Sequence, residues 1–339
     1  MRPRVRTVAK LILLVILLLV LTGYAQDYRI RAKVDLVVVP VTVKGNGDRL
    51  ITSLTKDDFI ILEDGRRQTI SNFSIDSVPL SAAVIVHTGL AADSLSKIQE
   101  SFTALAGAFS EFDEVAVYRY DKFVTKILDF SKDLTTVETA MKTLKNVTPG
   151  SPAPVATAPG GPFSTIGPVI NGAPVVQPGQ IGVVTTSPQK NPQVLNDAIF
   201  AAASDLAKRE RSRRKIVLVV SDGLNRDSDH GFDETARTLL ETGIQVYAIG
   251  LDQPIVIRSF SILGDYADAT GGDVFFVNSI QKIETAYATA TEEARNQYIL
   301  GYLSNNEVVG AQPVFRDIQV KLARGGFETR HRKGYYQYP

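Results

Sequence analysis

The chain has 339 residues, with 37 Lys and Arg against 36 Asp and Glu, three His, no Cys and no Trp. At 44% hydrophobic and 22% charged it is a globular composition, long enough for about two domains. The absence of Cys excludes disulfide scaffolds, thiolate zinc sites, iron–sulfur clusters and cysteine nucleophiles, and three His (His87, His230, His331) leave little for a histidine-rich metal site.

Arg2, Arg4, Arg6 and Lys10 precede a twelve-residue apolar run from Leu11 to Thr22, and Gly23-Tyr24-Ala25 supplies a small-x-small site before Gln26. Residues 1–25 therefore read as a secretory signal peptide, with an uncleaved membrane anchor as the alternative. The apolar run is shorter than the roughly twenty residues that span a bilayer. Without the four basic residues the chain carries 33 positive and 36 negative groups, a net of −3. An exported, weakly acidic protein has no electrostatic reason to bind nucleic acid, and the run Arg330-His331-Arg332-Lys333 reads as an exposed strand end.

In chain order, Val34 to Val43 is apolar and β-branched, Gly45-Asn46-Gly47 turns it, and Phe59 to Leu62 leads through Glu63-Asp64-Gly65 into a further run ending at Phe73. From Leu80 onward the pattern changes. Short, nearly continuous apolar runs (Leu80 to Val86, Val115 to Tyr120, Ile216 to Val220, Ile244 to Ile249, Val274 to Val277) predict parallel strands buried on both faces. Helical repeats separate them: Leu95, Ile98, Phe102, Leu105 and Phe109; Val137, Met141 and Leu144; Ile280, Ile283, Tyr287, Ala290 and Ala294. Near the end, Tyr298 to Leu303 is strand-like, Ile318, Val320 and Leu322 alternate with polar residues, and Gly325-Gly326 reverses the chain into Phe327 to Tyr336.

These elements predict an α/β protein: a doubly wound, mostly parallel open sheet of the Rossmann type, inserted into a β-sandwich built from the N- and C-terminal segments. Neither end has strands enough for a useful sheet of its own. The expected domains are a split sandwich, 26–78 plus 297–339, and an α/β domain, 79–296. Within the latter, residues 148–192 hold ten of the sixteen Pro, seven Gly and a single charge, Lys190. Such a segment is either disordered or an ordered partner-binding loop, and it cannot be regular helix or central strand.

Four segments in order, Val84-Ile85-Val86-His87-Thr88-Gly89-Leu90, Asp113-Glu114-Val115-Ala116-Val117 with Tyr120-Asp121, Val217-Leu218-Val219-Val220-Ser221-Asp222-Gly223, and Thr242 to Gly250, resemble the von Willebrand factor type A (VWA) domain over roughly Pro79 to Asn296. The flanks resemble VWA-related exported proteins abundant in Acidobacteria: Leu54-Thr55-Lys56-Asp57-Asp58-Phe59 with Glu63-Asp64-Gly65, and Tyr298 to Tyr302 with Arg332 to Tyr336.

The resemblance implies a metal-ion-dependent adhesion site, in which an Asp-x-Ser-x-Ser loop, a Thr and a second Asp hold a divalent cation. Mg²⁺ needs such hard oxygen donors at short, fixed distances. This chain departs from that pattern. Its loop reads His87-Thr88-Gly89-Leu90-Ala91, so imidazole replaces the carboxylate while Gly89 and Ala91 replace both hydroxyls; Gln193 falls where the Thr belongs. Asp222 alone remains, and one carboxylate with an amide does not make an Mg²⁺ site. No metal or other cofactor is expected. On the implied fold His87 and Asp222 emerge side by side, so an imidazolium would stand in for the cation; the alternatives are that His87 is only a partly buried polar residue, or that His87, Asp222, Asp227, Asp229 and His230 bind a transition metal. Asp93 reads as a helix N-cap.

A Ser221–His87–Asp222 triad is disfavoured because Ser221 and Asp222 point to opposite faces of a strand. No nucleophile elbow, phosphate-cradling glycine loop or His-Glu-x-x-His is present. The expected function is thus non-catalytic: exported binding or adhesion through protein–protein contact, with His87, Thr88, Asp222 and Asn225 on the binding face. The alternative is a structural subunit of an envelope assembly with an inert top face. The periplasm, the cell surface and the medium are all open, and a membrane is touched only through the signal segment if it stays uncleaved.

Overall fold

The computed structural model describes residues 36–144, 147, 169–170, 173–174, 193–251, 261–306 and 310–339. The expected signal segment, 1–25, lies outside the described residues, as does the 148–192 loop apart from four positions.

The described chain begins in β1 (Leu36–Lys44), where Val37, Val39, Val41 and Val43 are buried and Leu36 and Val38 are exposed. This is the period-two pattern of a half-buried strand. A 3-10 turn at Lys56–Asp58 is closed by Asp58 Oδ2, which accepts from the Thr55 N–H at 2.9 Å. It leads into β2 (Phe59–Glu63), β3 (Arg66–Gln68) and β4 (Ile70–Ser77). The Asp64-Gly65 turn between β2 and β3 holds both residues at positive φ, 49° and 77°.

Next come β5 (Leu80–His87), α1 (Ala92–Gly107), β6 (Glu114–Tyr120), β7 (Val124–Ser131), α2 (Leu134–Thr143), and the two-residue strands β8 (Val169–Ile170) and β9 (Ala173–Pro174), which pair with each other. After them follow α3 (Leu195–Leu206), β10 (Arg214–Ser221), α4 (Phe232–Thr242), β11 (Gln245–Leu251), α5 (Ile262–Thr270), β12 (Val274–Val277) and α6 (Ile280–Arg295). The chain closes with β13 (Asn296–Leu303), β14 (Val314–Leu322), β15 (Glu328–His331) and β16 (Gly334–Gln337).

Six strands form one sheet in the order β12-β11-β10-β5-β6-β7, parallel except for the antiparallel edge β7. Every residue of β5, β6 and β11 is buried, which explains their continuous apolar runs. On one face Val84, Val86, Leu218 and Val220 pack against α1, α2 and α6; on the other Ala83, Ile85, Val217 and Val219 pack against α3, α4 and α5. Successive residues of each strand thus serve opposite helix layers. The strand order reverses between β5 and β10, placing the topological switch point at their carboxyl ends.

Strands from the two chain ends make two further antiparallel sheets, β15-β1-β13-β4 and β16-β14-β2-β3, facing each other across a core that includes Val39, Ile61, Leu300, Tyr302 and Ile318. Leu36–Pro339 forms one compact unit. At the joint between the sandwich and the α/β layers, Lys44 of β1 is ion-paired with Asp273 before β12 and with Glu293 of α6 at 2.5 Å, all three side chains being less than a tenth exposed.

Three local expectations change. Phe327 to Tyr336 is not one strand: β15 joins β1 in one sheet and β16 joins β14 in the other, so the chain crosses between sheets at Arg332-Lys333. Consequently the run 330–333 is no exposed strand end; Arg330 pairs with Asp268 at 3.0 Å and Glu328 at 2.8 Å, and the Nε of Arg332 is buried. The N-cap of α1 is Ala91, and Asp93 sits inside the first turn, where its charge favours the helix dipole without closing a cap. No described helix is long and apolar enough to cross a membrane.

Candidate functional site

The carboxyl ends of β10, β5 and β6 lie side by side, with Val220 opposite Val86 and His87 opposite Tyr120. This register brings His87 and Asp222 together: His87 Nδ1 is 3.2 Å from Asp222 Oδ1, a close contact whose angle falls outside hydrogen-bond geometry. His87 is fully buried, its ring stacked on Tyr120 with centroids 4.5 Å apart and planes within 8°. Its Nε2 has no hydrogen-bond partner. Gly89 sits close beside it: a Cβ there would lie 3.1 Å from that Nε2 and 3.3 Å from Asp121 Cβ, a tight fit that the neighbours would have to relax to admit.

Asp222 remains a quarter exposed, and its Oδ1 also accepts from the Leu224 N–H at 3.1 Å. Burial pushes its carboxyl upward, but His87 and the Leu224 amide outweigh that and hold it below the usual value. Ser221, the preceding residue, turns the other way: its hydroxyl meets the Tyr120 hydroxyl at 2.6 Å and accepts from the Gly223 N–H at 2.9 Å.

The other expected site residues scatter. Thr88 is fully buried and its hydroxyl donates to the Tyr120 carbonyl at 3.2 Å. Neither Thr88 nor His87 is therefore on an exposed binding face, contrary to expectation, because the first-strand loop folds inward over β6. Ala91 caps α1 with no side-chain bond. Gln193 pairs with Arg226 through both backbone groups, at 2.9 and 2.7 Å, and leaves its Oε1 buried without a partner. Asn225 organises its own loop, its Oδ1 accepting from Asn196 N–H at 3.1 Å and Ser228 hydroxyl at 2.6 Å. His230 does not join His87: its Nδ1 meets Asp197 Oδ1 at 2.8 Å, and its ring stacks on Phe200 with centroids 3.8 Å apart. Asp197 also accepts from the backbone amides of Asp229 and His230, and these contacts outweigh burial to hold its carboxyl low.

These donors do not fit a divalent cation of the Mg²⁺ type. Asp222 is engaged by an imidazole and an amide, the Thr88 hydroxyl is bonded to backbone, and positions 89 and 91 carry no oxygen side chain. Among the described residues there is no group of three His, Asp or Glu arranged to hold a metal.

Two side chains that sequence reasoning did not single out define the surface here. Phe123, in the turn after β6, is 66% exposed, and Leu224, after β10, is 41% exposed. They flank the closed His87–Asp222 contact from the strands on either side of β5. Their signal in the sequence was an apolar residue just past each carboxyl end, where solvated loops ordinarily carry polar ones.

The strand order, the reversal between β5 and β10, the antiparallel edge and the helices on both faces are now all in view. The chain has a VWA-like fold. No protein-family model and no curated protein matches it. Among solved structures, this VWA-like chain aligns with an aerotolerance-related membrane protein from Bacteroides fragilis at 14% identity, over 63% of this chain and 99% of that one, with a TM-score of 0.43. It aligns with BatB from Bacteroides thetaiotaomicron at 13% identity, over 63% and 98%, with a TM-score of 0.44. Proximal thread matrix protein 1 from the mussel byssus, with a zinc-occupied MIDAS motif, aligns at 13% identity over 65% of this chain and 49% of that one, with a TM-score of 0.43.

Proposed function

We propose that the protein is an exported, non-catalytic binding module whose VWA-like layer docks a protein partner at the carboxyl ends of its parallel strands without a bridging metal ion. The observation that carries this reading is the combination of a closed floor, where His87 meets Asp222, with the exposed Phe123 and Leu224 after the neighbouring strands. Aromatic residues, Phe among them, are enriched at the core of protein interfaces. A non-catalytic role is supported by the engagement of the Ser221 hydroxyl with the Tyr120 hydroxyl at 2.6 Å and the Gly223 N–H at 2.9 Å rather than with His87. Export rests on the reading of residues 1–25.

The test is capture by the immobilised mature chain, residues 26–339, from an envelope extract, in Mg²⁺ and in EDTA, with a Phe123→Ser/Leu224→Ser variant in parallel. A partner retained in EDTA and lost with the double variant is the expected result. Capture that requires Mg²⁺ would overturn the metal-free reading, and capture indifferent to the double variant would favour an envelope subunit with an inert top face.

A further inference from the structure

Lys44, Asp273 and Glu293 come from the end of β1, the residue before β12 and the last turn of α6. They meet inside the joint between the sandwich and the α/β layers, only 4%, 6% and 1% exposed. Lys44 Nζ touches Asp273 Oδ2 and lies 2.5 Å from Glu293 Oε1, with the Phe275 ring 5.5 Å away. As a device for stability this cluster is poor. One ammonium serves two buried carboxylates, desolvation offsets much of what a buried ion pair returns, and neither oxygen of Glu293 meets hydrogen-bond geometry with any described residue.

As a reaction site the same cluster is complete. An amine in contact with a carboxyl group, and beside both a second carboxyl that can carry protons, are the components of amide formation. Asp273 Oδ1 accepts from the Val274 N–H at 2.7 Å and has a terminal nitrogen of Arg330 at 3.5 Å. These donors are placed to stabilise charge on Oδ1 when an amine adds to Cγ, which leaves Oδ2, the oxygen facing Lys44, to depart. Burial pushes Glu293 up to about 7 against the pull of Lys44, so near neutral pH it holds a proton in a large share of molecules. Burial also opposes the Lys44 ammonium, although its two carboxylates outweigh that and hold its pKa up. The proton therefore leaves Lys44 for a carboxylate it already touches and not for water, as expected where charges lie in a dry site.

We propose that Lys44 and Asp273 condense to an intramolecular amide, Nζ to Cγ, with Glu293 carrying the protons. The Lys44 ammonium gives one proton to Asp273 Oδ2, leaving an amine and a carboxylic acid. The amine adds to Cγ; Glu293 then takes a proton from the nitrogen and delivers one to the departing hydroxyl. The Cγ–Oδ2 bond breaks and one water leaves. Ammonium and carboxylate thus become amide and water, Glu293 ends as it began, and nothing is oxidised or reduced. Fixed contact supplies the effective concentration that makes such a condensation feasible, and exclusion of water favours the product. The bond would join residues 229 apart, fastening the sandwich to the α/β layers in a chain that has no cysteine for a disulfide.

The mature chain, residues 26–339, purified in denaturant is unlinked, and refolding it starts the reaction. Its intact mass should then fall by one water, about 18 Da, and a tryptic digest should yield a branched peptide containing Lys44 and Asp273, uncut after Lys44. Lys44→Arg should keep its full mass, and Glu293→Gln should lose water at least tenfold more slowly while still melting cooperatively. A parent that has refolded, judged by its thermal melt, yet keeps its full mass and is cut after Lys44 would overturn the proposal. So would a loss of water that maps to other residues. Linking of Glu293→Gln at the parent's rate would overturn the role of Glu293. Where Glu293→Gln does not fold, the mass and digest of the parent still decide whether the bond forms.

Discussion

His87 faces Asp222 across the switch point of the sheet, Nδ1 to Oδ1 3.2 Å, with its ring laid flat on Tyr120. The contact joins three neighbouring strands, so its loss is felt by the fold. His87→Ala is expected to lower stability by about 2–4 kcal/mol, from a cavity and an orphaned carboxylate together. Asp222→Asn, at a partly exposed position, should cost less. Thermal melts of both variants check this. The melting temperature of the parent should not respond to EDTA, and a rise on adding Mg²⁺ would contradict the metal-free reading. Because the folded Asp222 carboxyl lies below its ordinary 3.8, its contribution is present above that pH and disappears as pH falls through the folded value.

Glu293 gives the opposite pH dependence. One ammonium, Lys44, faces two buried carboxylates, and burial, reinforced by Asp273, outweighs Lys44 and pushes Glu293 up to about 7. A carboxyl whose folded pKa exceeds its unfolded value contributes stability at low pH that is lost as pH rises from about 4.5 to about 7. Glu293→Gln should therefore match the unlinked parent near pH 5 and exceed it near pH 8, by up to about 3 kcal/mol. Paired denaturant titrations at the two pH values measure the difference, and a variant less stable at pH 8 would refute it.

Asp113 carries a different kind of charge. It is fully buried and accepts from both terminal nitrogens of Arg295, from the Leu80 N–H at 2.7 Å and from the Ser110 N–H at 2.7 Å. It thus ties the starts of β5 and β6 to the end of α6. Burial raises its pKa, but these donors win and hold it low. Asp113→Asn should cost about 3–5 kcal/mol at pH 7 by stranding the guanidinium. That penalty should begin to shrink as pH falls below 3.8, where the unfolded parent is protonated first, and go on shrinking down to the lower folded pKa. Urea midpoints at pH 7 and pH 3.5 supply the check.

Glycines in and beside one helix should respond in opposite senses. At Gly272, just past α5, a Cβ would stand 1.9 Å from the Val246 carbonyl oxygen, a backbone atom that cannot step aside. Gly272→Ala should cost at least the ~1–3 kcal/mol typical of overpacking. Inside α5, Gly264 has open space around it, and Gly264→Ala should stabilise by about 0.5–1 kcal/mol through helix propensity. Melting temperatures moving in the same direction would refute the pair.

The parallel strands were legible because burial on both faces demands unbroken apolar runs, and the helices because one buried face imposes a repeat of three and four. Strand β7 escaped notice for the same reason: its residues are partly or wholly exposed, and no single period marks them. The absence of an Asp-x-Ser-x-Ser run could be read residue by residue, since it depends on which side chains are present. The arrangement around Asp222 could not. Whether His87 reaches Asp222 depends on β5 and β10 being neighbours, a matter of strand order between segments far apart in the chain. The burial of Thr88 and the exposure of Phe123 and Leu224 likewise follow from how loops pack. A side chain's chemistry is written locally, but its burial and its counterions come from residues that only folding brings near.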